Sequence, residues 1–405
     1  MEAVKENTTE TAAAPSRAAE RYMQSASRVQ AWVEKSNYKG YEPFDGLSSP
    51  LRALTFRNLL AERILQQAVR QSPINFRPLI GIKKLDSTKG RGMMAWGYLL
   101  LHKATGNKDY WNKAVDSLRW LDTHKSPKFE KHSWANYFDF SSRGGAYFKD
   151  DSIIVWTGLN AQAFMEAFEQ SGEQWFLDIA LSACDWIMSL PREKTEHGTC
   201  ISYFAHAQES IHNASMLGAA ALARAARLAN RPDYQELARE AMVYSCTAML
   251  PSGAWWYAEG PQFMWIDNFH TGYNLDSLKC YIENSGDTEF AGHLTRGLDF
   301  FKQNFFEPSG RPKYYHSRPY PIDIQCASQA IDTLAYFSVD DPECLALAQK
   351  VASWTIDNMQ ASDGHFYFRK YPLGITARTA MLHWGQATMF KGLSHLVLRL
   401  AGTKA

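Results

Sequence analysis

The sequence predicts an all-α protein, an (α/α)6 toroid in which six inner helices are ringed by six outer helices, with short β-hairpin loops at one end. Three observations lead to this fold class: amphipathic helices recur along the chain, a more apolar helix precedes each of them, and an aromatic-rich loop follows each of them. The chain has 405 residues, more than the roughly 250–300 at which one compact core usually stops growing. A closed array of repeated helix pairs accommodates this length.

Five amphipathic segments are predicted to form the outer layer. Each begins with a turn containing Gly, Asn, Asp or Pro and continues with bulky apolar residues on one face. In the third copy the apolar residues Tyr234, Leu237, Ala238, Ala241 and Met242 fall on a single stripe, which is typical of a surface helix. The five copies begin at Thr105, Ser171, Ala229, Ser285 and Val339.

A second set of helices, apolar or small on nearly every side, is predicted to form the inner layer. These helices cover residues 89–103, 153–169, 212–228, 271–283, 324–337 and 383–399. The last of them has no outer helix after it, and a helix at about 17–35 has no inner helix before it. Pairing these two closes the ring, whereas an open solenoid would leave helix 17–35 without a partner.

The rest of the chain is divided as follows. Residues 51–72 predict a further helix that packs over one end of the toroid. Residues 1–15 are polar, with no apolar run, and are assigned to a disordered tail. Residues 16–405 are assigned to one toroid domain.

Five loops carry a Gly followed by alternating aromatic residues, a pattern typical of a short strand or hairpin. They start at Gly144, Gly198, Gly253, Gly310 and Gly364. Because all five connect an outer helix to the next inner helix, they must emerge at the same end of the toroid. We therefore expect a funnel there, with the loops as its walls and the N-termini of the inner helices as its floor.

The residues of this funnel are suited to a carbohydrate. A sugar ring has an apolar C–H face and a rim of hydroxyls, and Trp and Tyr combine a large apolar surface with one polar group. The predicted substrate-binding residues are Trp255, Trp256, Trp265, Asn268, His212, Asn213, Tyr315, Gln325, Arg378 and Trp384. We expect one concave site to contain Trp255, Trp265, His212, His270, Asp323 and Trp384.

Five residues are candidate catalysts: Asp267, Asp151, Asp323, His270 and Tyr273. In the first interpretation the protein is a glycoside hydrolase, in which two carboxylates flank the scissile bond. Asp267 would then pair with Asp151 or Asp323, with Glu259 in reserve. Asp151 and Asp323 also stand where helices begin, so we expect at least one of them to be an N-cap.

Two other interpretations remain open. The protein can be a uronate polysaccharide lyase or C5-epimerase, in which Asn268 and Arg378 neutralise the carboxylate while His270 and Tyr273 move the proton. It can also be a non-catalytic glycan-binding accessory, which needs the aromatic surface but no acid pair.

Other classes of function are not supported by the sequence. The net charge is +1 with no basic run, so nucleic acid is not expected as a partner. Motifs for phosphate and metal binding are missing, although His212 and His270 lie on adjacent loops; we expect no cofactor and no metal. Six widely spaced cysteines and the absence of an apolar leader favour the cytoplasm.

Six segments carry a resemblance to a known family. They are YEPFDGL (41–47), DDSIIVWTGLNAQAF (150–164), IHNASMLGAAALARA (211–225), WIDNFHTGYNLDSLKCY (265–281), YPIDIQCASQAI (320–331) and HWGQATMF (383–390). From about Ser36 to the C-terminus, the chain resembles six-hairpin glycosidase-like proteins associated with bacterial capsule and exopolysaccharide biosynthesis. The resemblance implies an (α/α)6 fold, an oligo- or polysaccharide ligand and peripheral association with a membrane-bound polysaccharide synthesis complex. It assigns no catalytic residue.

Overall fold

The computed structural model describes residues 17–142 and 145–402, and in this part of the chain the predicted (α/α)6 toroid is present. The tail assigned to residues 1–15 lies outside the described residues. The inner helices are α3 (Thr88–Thr105), α5 (Ile154–Ser171), α7 (His212–Ala229), α9 (Asn268–Ser285), α11 (Ile324–Phe337) and α13 (Thr388–Gly402), the last preceded by a π-helical turn, Leu382–Ala387. Each packs against the next, and α13 packs against α3, so the inner ring is closed.

Each outer helix packs mainly on one inner helix. They are α4 (Lys108–Thr123), α6 (Gln174–Met188), α8 (Pro232–Thr247), α10 (Ala291–Asn304), α12 (Pro342–Met359) and α1 (Arg17–Lys35). Helix α1 packs on α13, which confirms the predicted ring closure between the two ends of the chain. The hydroxyl of Tyr22 on α1 also bonds the backbone oxygen of Gln349 on α12, at 3.1 Å. A search for a membrane-spanning helix among the described residues finds none.

The additional helix lies over the loop end, as predicted, but it is shorter than residues 51–72. A 3-10 segment, Pro50–Thr55, precedes helix α2 (Leu59–Gln71), because Asn58 caps α2 by accepting from the amide of Ala61. Gln66 on α2 exchanges two hydrogen bonds with the backbone of Ser141 in the first loop, at 2.6 and 2.9 Å. Helix α2 is thereby fixed over the rim of the funnel.

The strands are short and belong to the loops. They are β1 (Phe140–Ser141), β2 (Ala146–Tyr147), β3 (Arg192–Thr195), β4 (Gly198–Ile201), β5 (Ile322–Asp323), β6 (Arg369–Lys370) and β7 (Thr376–Ala377). They pair antiparallel as β1–β2, β3–β4 and β5–β6–β7. The loop that starts at Gly253 forms only isolated bridges in its described residues, so the strand or hairpin prediction is wrong there, whereas the loop that starts at Gly310 ends in strand β5, which pairs with β6 of the next loop.

Backbone hydrogen bonds connect the inner helices to the loops around the ring. The first amide of an inner helix has no partner within its own helix, and in five inner segments it donates to a backbone oxygen of the next loop. The pairs are Ile154 to Tyr203 (3.0 Å), His212 to Tyr257 (3.3 Å), Asn268 to Tyr314 (2.9 Å), Ile324 to Phe368 (3.1 Å) and Leu382 to Tyr41 (2.9 Å). Each accepting residue is aromatic, so the recurring aromatic positions are tied directly to the helix N-termini.

The loop glycine Gly364 shows how closely the loops and outer helices approach. Its φ is +102°, and a Cβ there would lie 2.5 Å from the backbone oxygen of Arg28 on α1. Gly198, Gly253 and Gly310 make the same kind of approach to α8, α10 and α12, respectively. A hydrogen atom in place of a side chain is therefore what allows each loop to pack on the following outer helix.

We expect Gly364→Ala to lower the free energy of unfolding by more than the roughly 1–3 kcal/mol that such a backbone conformation costs a residue with a side chain, because the new methyl group also meets the α1 backbone. Urea unfolding followed by circular dichroism measures this change. Gly374→Ala is the matched control, since Gly374 has a φ of +77° with open space around its Cβ position. Equal losses in both variants would contradict the close packing of the loop on α1.

Candidate functional site

A cavity of about 870 Å³ opens at the loop end of the toroid. Its size lies within the roughly 300–1,000 Å³ typical of ligand pockets. The N-terminal turns of inner helices form its floor, the loops form its walls, and α2 contributes part of the rim. Aromatic residues around it include Phe44, Phe140, Tyr147, Trp156, Tyr203, Trp256, Tyr257, Trp265, Tyr273, Tyr315 and Trp384. The predicted aromatic funnel is present.

Two tryptophans in this cavity are held by buried aspartates. Trp265 stacks on Tyr257 with ring centroids 4.4 Å apart, and its indole N–H donates to Oδ2 of Asp267 at 2.9 Å. The indole N–H of Trp384 donates to Oδ1 of Asp323 at 2.8 Å. With its polar group satisfied by protein, each indole is fixed in orientation and contributes part of its apolar surface to the cavity lining.

Asp267 and Asp323 are N-caps of α9 and α11, and both side chains are fully buried. Asp267 accepts from the His270 amide at 3.0 Å, and Asp323 accepts from the Gln325 amide at 2.8 Å. The second oxygen of Asp323 accepts from Nε of Arg369. The expectation of an N-cap is met by Asp323. Since neither carboxylate lines the cavity, both are placed to position other groups.

Three histidines line the cavity, and two of them, His270 and His383, have a carboxylate behind the ring. Nδ1 of His270 lies 2.7 Å from Oδ2 of Asp267. Nδ1 of His383 lies 2.8 Å from Oε1 of Glu42. Because a carboxylate only accepts, Nδ1 carries the proton in both rings, and Nε2 has no hydrogen-bond partner among the described residues. Burial lowers the pKa of His383, which favours its neutral, proton-accepting form.

A lysine and a tyrosine meet at the floor of the cavity. Nζ of Lys89 donates to the hydroxyl of Tyr273 at 3.1 Å, and Nε2 of Gln325 donates to the same hydroxyl at 3.1 Å. Burial lowers the pKa of Lys89 to about 8, while burial and then the charge of Asp332 raise the pKa of Tyr273. Tyr273 is thus a neutral hydroxyl beside a cation.

Glu209 is the one carboxylate among the described residues that line this cavity. It accepts from the hydroxyl of Tyr147 at 2.9 and 3.0 Å. Burial raises the pKa of Glu209. The remaining charged groups on the lining are cationic: Arg63, Arg70, Lys89 and Arg318.

Several predicted site residues lie outside the cavity. Trp255 is buried beneath Gly297, and its indole N–H donates to the Ser245 backbone oxygen at 2.8 Å. His212 packs against Tyr244, and burial lowers its pKa to about 4. The prediction of one shared concave site therefore holds for Trp265, His270 and Trp384, whereas Trp255, His212 and Asp323 do not line it.

The loop residues Asp151 and Arg378 are also absent from the cavity lining. Asp151 pairs with Lys128 and does not cap α5, whose N-cap is Ile153. Arg378 is exposed and lies over the Tyr367 ring, 5.6 Å from its centroid. Both side chains therefore contact nearby residues outside the cavity.

The predicted amides lie at the floor. Asn213 lines the cavity, and Asn268 and Gln325 are buried beside it. Asn213 Oδ1, both polar atoms of the Asn268 side chain and Gln325 Oε1 have no hydrogen-bond partner among the described residues. Most buried polar atoms in proteins have a hydrogen-bond partner, so these atoms at the floor are candidates to bond a ligand or water. No group of three or more His, Cys, Asp or Glu in the described ranges is arranged to hold a metal.

Sequence reasoning missed Arg70, Lys89, Trp156, Glu209 and His383 as lining residues. His383 could have been predicted, because it is adjacent in sequence to Trp384, which was a predicted substrate-binding residue. Arg70 belongs to the helix predicted over one end, but nothing local shows that its side chain enters the funnel.

A second cavity of about 410 Å³ lies in the bore of the toroid, among the C-terminal halves of inner helices. Tyr273 lines both cavities. In the second one, Asp332 bonds Nζ of Lys391 and Nδ1 of His395, which lowers the pKa of Asp332 despite its burial. Burial and the neighbouring Asp332 raise the pKa of Asp276 to about 8. Asp276 is therefore the member of this acid pair that keeps its proton at neutral pH.

This proton makes stability depend on pH. An unfolded Asp releases its proton near 3.8, whereas folded Asp276 keeps it to about 8. The stability that protonated Asp276 contributes is complete below about pH 4 and is lost as the pH rises through about 8. We expect Asp276→Asn to flatten the fall in the urea midpoint between pH 5 and pH 9. Asp357→Asn, an exposed control, should keep the wild-type slope, and an unchanged slope in Asp276→Asn would contradict the assignment.

Comparisons with known proteins establish the fold. No family model matches the chain, and no curated protein matches it. Among solved structures, the chain is similar to a cellobiose 2-epimerase from Bacillus thermoamylovorans, with 11% identity, a TM-score of 0.63, and coverage of 80% of this chain and 90% of that one. It is also similar to an unsaturated glucuronyl hydrolase specific for heparin, with 11% identity, a TM-score of 0.62, and coverage of 94% and 96%. A GH76 alpha-mannanase from Bacteroides thetaiotaomicron gives 12% identity, a TM-score of 0.60, and coverage of 78% and 86%.

Proposed function

We propose that this protein is a carbohydrate-active enzyme that moves a proton at a sugar carbon next to a carbonyl or carboxyl group, as an epimerase or isomerase does. The observation that carries this proposal is the pair of carboxylate-backed histidines, His270 and His383, on the lining of one aromatic cavity. Support for a carbohydrate substrate comes from that aromatic lining and from structural neighbours that are named for action on carbohydrates.

The two histidines supply a proton acceptor and a proton donor. The neutral ring of one accepts the carbon-bound proton on Nε2, and the electron pair left on carbon moves into the adjacent carbonyl to give an enediolate. The other histidine, protonated on Nε2, returns a proton to the opposite face or to the neighbouring carbon. The proton count balances, and the reaction has no net oxidation. Such general acid–base steps contribute typically 10²–10⁴-fold to the rate.

The developing negative charge on oxygen has cationic neighbours. Lys89 lies in the first turn of α3, and its ammonium group is directed at the Tyr273 hydroxyl. A buried cation and the positive end of a helix both stabilise an oxyanion without further reorganisation. Tyr273 is available to donate a hydrogen bond to the same oxygen, so both residues have a role in the proposed proton transfer.

Glycoside hydrolysis is the second candidate function, and Glu209 is the observation that favours it. A carboxyl group with a raised pKa in an aromatic cavity suits a general acid. A hydrolase needs a second carboxylate across the bond, and Asp267 and Asp323 direct their oxygens to protein donors. Because the second carboxylate that a hydrolase needs is missing from the described lining, we place proton transfer by histidine first.

The biological context is also part of the proposal. The segments that resemble capsule and exopolysaccharide proteins favour a bacterial surface glycan, or a sugar derived from one, as the substrate. They favour peripheral association with a membrane-bound polysaccharide synthesis complex as well.

Solvent exchange tests the proposed reaction. The purified chain is incubated in D2O with neutral and uronate-containing reducing sugars, and NMR follows deuterium at each sugar carbon. We expect deuterium at the carbon next to the carbonyl or carboxyl group, together with an epimer or isomer. New reducing ends without exchange would replace the proposal with hydrolysis, and products that absorb in the ultraviolet would replace it with elimination. Binding without any product would leave a glycan-binding module.

A further inference from the structure

We propose that the sugar taken by this cavity is anionic and that Arg70 is the residue that receives its carboxylate or phosphate group. This inference names the substrate class of the proposed function and rests on it. The place of Arg70 in the fold is the last turn of α2, the helix that covers the rim of the cavity.

The guanidinium of Arg70 lies among aromatic rings. Its central carbon lies 4.4 Å from the centroid of the Phe44 ring and 5.9 Å from that of the Trp384 ring. Tyr314 is its hydrogen-bonding neighbour, and Nε of Arg70 has no hydrogen-bond partner among the described residues. An aromatic ring contacts a guanidinium without using its N–H groups, which can then bond a ligand.

Arg70 has no carboxylate of its own. No Asp or Glu of the described residues lies within ion-pairing distance of it, and the acidic group whose charge acts on it, Asp323, is already bonded to Arg369 and Trp384. Lys89, on the floor of the same cavity, likewise has no ion-pair partner among the described residues.

The lining of the cavity carries more cationic side chains than carboxylates. Among the described residues, Arg70, Lys89 and Arg318 line it together with the single carboxylate of Glu209, while the carboxylates that lie behind the lining are bonded to protein donors. Burying a charge is costly unless an opposite charge and hydrogen bonds compensate it. A ligand carboxylate or phosphate in front of Arg70 supplies both, and arginine binds such groups through paired N–H donors.

The test is a binding measurement, which needs no turnover. Isothermal titration compares cellobiose with cellobiouronic acid, a disaccharide of similar shape that adds a carboxylate, and compares glucose with glucose 6-phosphate. We expect at least one acidic probe to bind about tenfold to a hundredfold more tightly than its neutral counterpart, which is the size of one charged hydrogen-bonded contact. The carboxylate and phosphate arms distinguish the two sources of negative charge.

Two variants assign the preference to Arg70. Arg70→Gln should reduce the preference for the acidic probe to less than about threefold while leaving neutral binding within about twofold. Arg70→Lys, which keeps the charge, should retain part of the preference. Arg239→Gln, on the outer face of α8, is the control for loss of one cation, because Arg239 pairs with Glu289 far from the lining.

The melting temperature of Arg70→Gln distinguishes a ligand-binding arginine from one whose role is only structural. Since Arg70 is partly buried and has no carboxylate of its own, Arg70→Gln should melt no lower than the wild type. A marked loss of stability in Arg70→Gln, an acid preference that survives in this variant, or equal binding of acidic and neutral probes by the wild type would each overturn the inference. If the acid preference depends on Arg70 but no proton exchange is found, the inference stands and the proposed reaction fails.

Discussion

Replacing His270 by Asn is expected to lower kcat by about 10²–10⁴-fold while sugar affinity stays within a few-fold. The asparagine amide still donates to Asp267, as Nδ1 of the ring does at 2.7 Å, so the cap and the cavity wall remain. The amide has no ring nitrogen that accepts and releases a proton. Deuterium exchange into the sugar measures the chemical step, and isothermal titration measures binding.

His383→Asn should lower kcat by a similar factor, because Nδ1 of His383 is bonded to Glu42 as Nδ1 of His270 is bonded to Asp267. The double variant should lose little more than either single variant if the two rings act in one proton transfer. His124→Asn is the matched control, since His124 is exposed on Trp120 at the end of α4 and does not line the cavity.

The relative effect of Asp267→Asn separates the two candidate reactions. If His270 carries the proton, Asp267→Asn should be the milder change in turnover, although it also weakens the α9 cap and the anchor of Trp265. If Asp267 is itself a hydrolytic catalyst, Asp267→Asn removes turnover and His270→Asn is milder. That reversed order would contradict the assignment of the proton transfer to histidine.

Asp323→Asn is expected to lower the free energy of unfolding by about 3–5 kcal/mol, the usual cost of leaving a buried charge without its partner. Both side chains of the Asp323–Arg369 pair are almost completely buried. The variant leaves Arg369 uncompensated beside Arg70, and it weakens the bond that fixes Trp384. The midpoint of urea unfolding at pH 7 measures the loss.

Two controls define what the Asp323 result means. Asp357→Asn removes the carboxylate of an exposed pair with Arg21 and should change stability by no more than about 1 kcal/mol. The double variant Asp323→Asn, Arg369→Met should recover part of the loss, because no unpaired charge remains at the site. Loss of turnover in Asp323→Asn with unchanged stability would instead identify Asp323 as a catalyst.

The architecture could be predicted from the sequence because its determinants are local and repeated. A helix that is apolar all round must be buried, and one with a single apolar stripe must lie at a surface. These two patterns alternate along the chain, and the leftover helices at its ends, α1 and α13, pair in the structure. The chain order of loops and helices also fixes the end at which the funnel opens. Trp256, Trp265, His270, Tyr315 and Trp384 were predicted site residues for this reason, and all line it.

Only the tertiary structure decided which side chains face the ligand. In an extended loop successive side chains point to opposite sides, so Trp255 enters the core while Trp256 lines the cavity, although the two are adjacent in sequence. The roles of Asp267 and Asp323 depend on donors brought to them by folding, Arg369 and Trp384 among them. Glu42 supports His383 from 341 residues away along the chain, and Arg70 reaches the cavity because α2 folds over its rim. No local pattern encodes such contacts, since they exist only once the ring has closed and brought distant segments together.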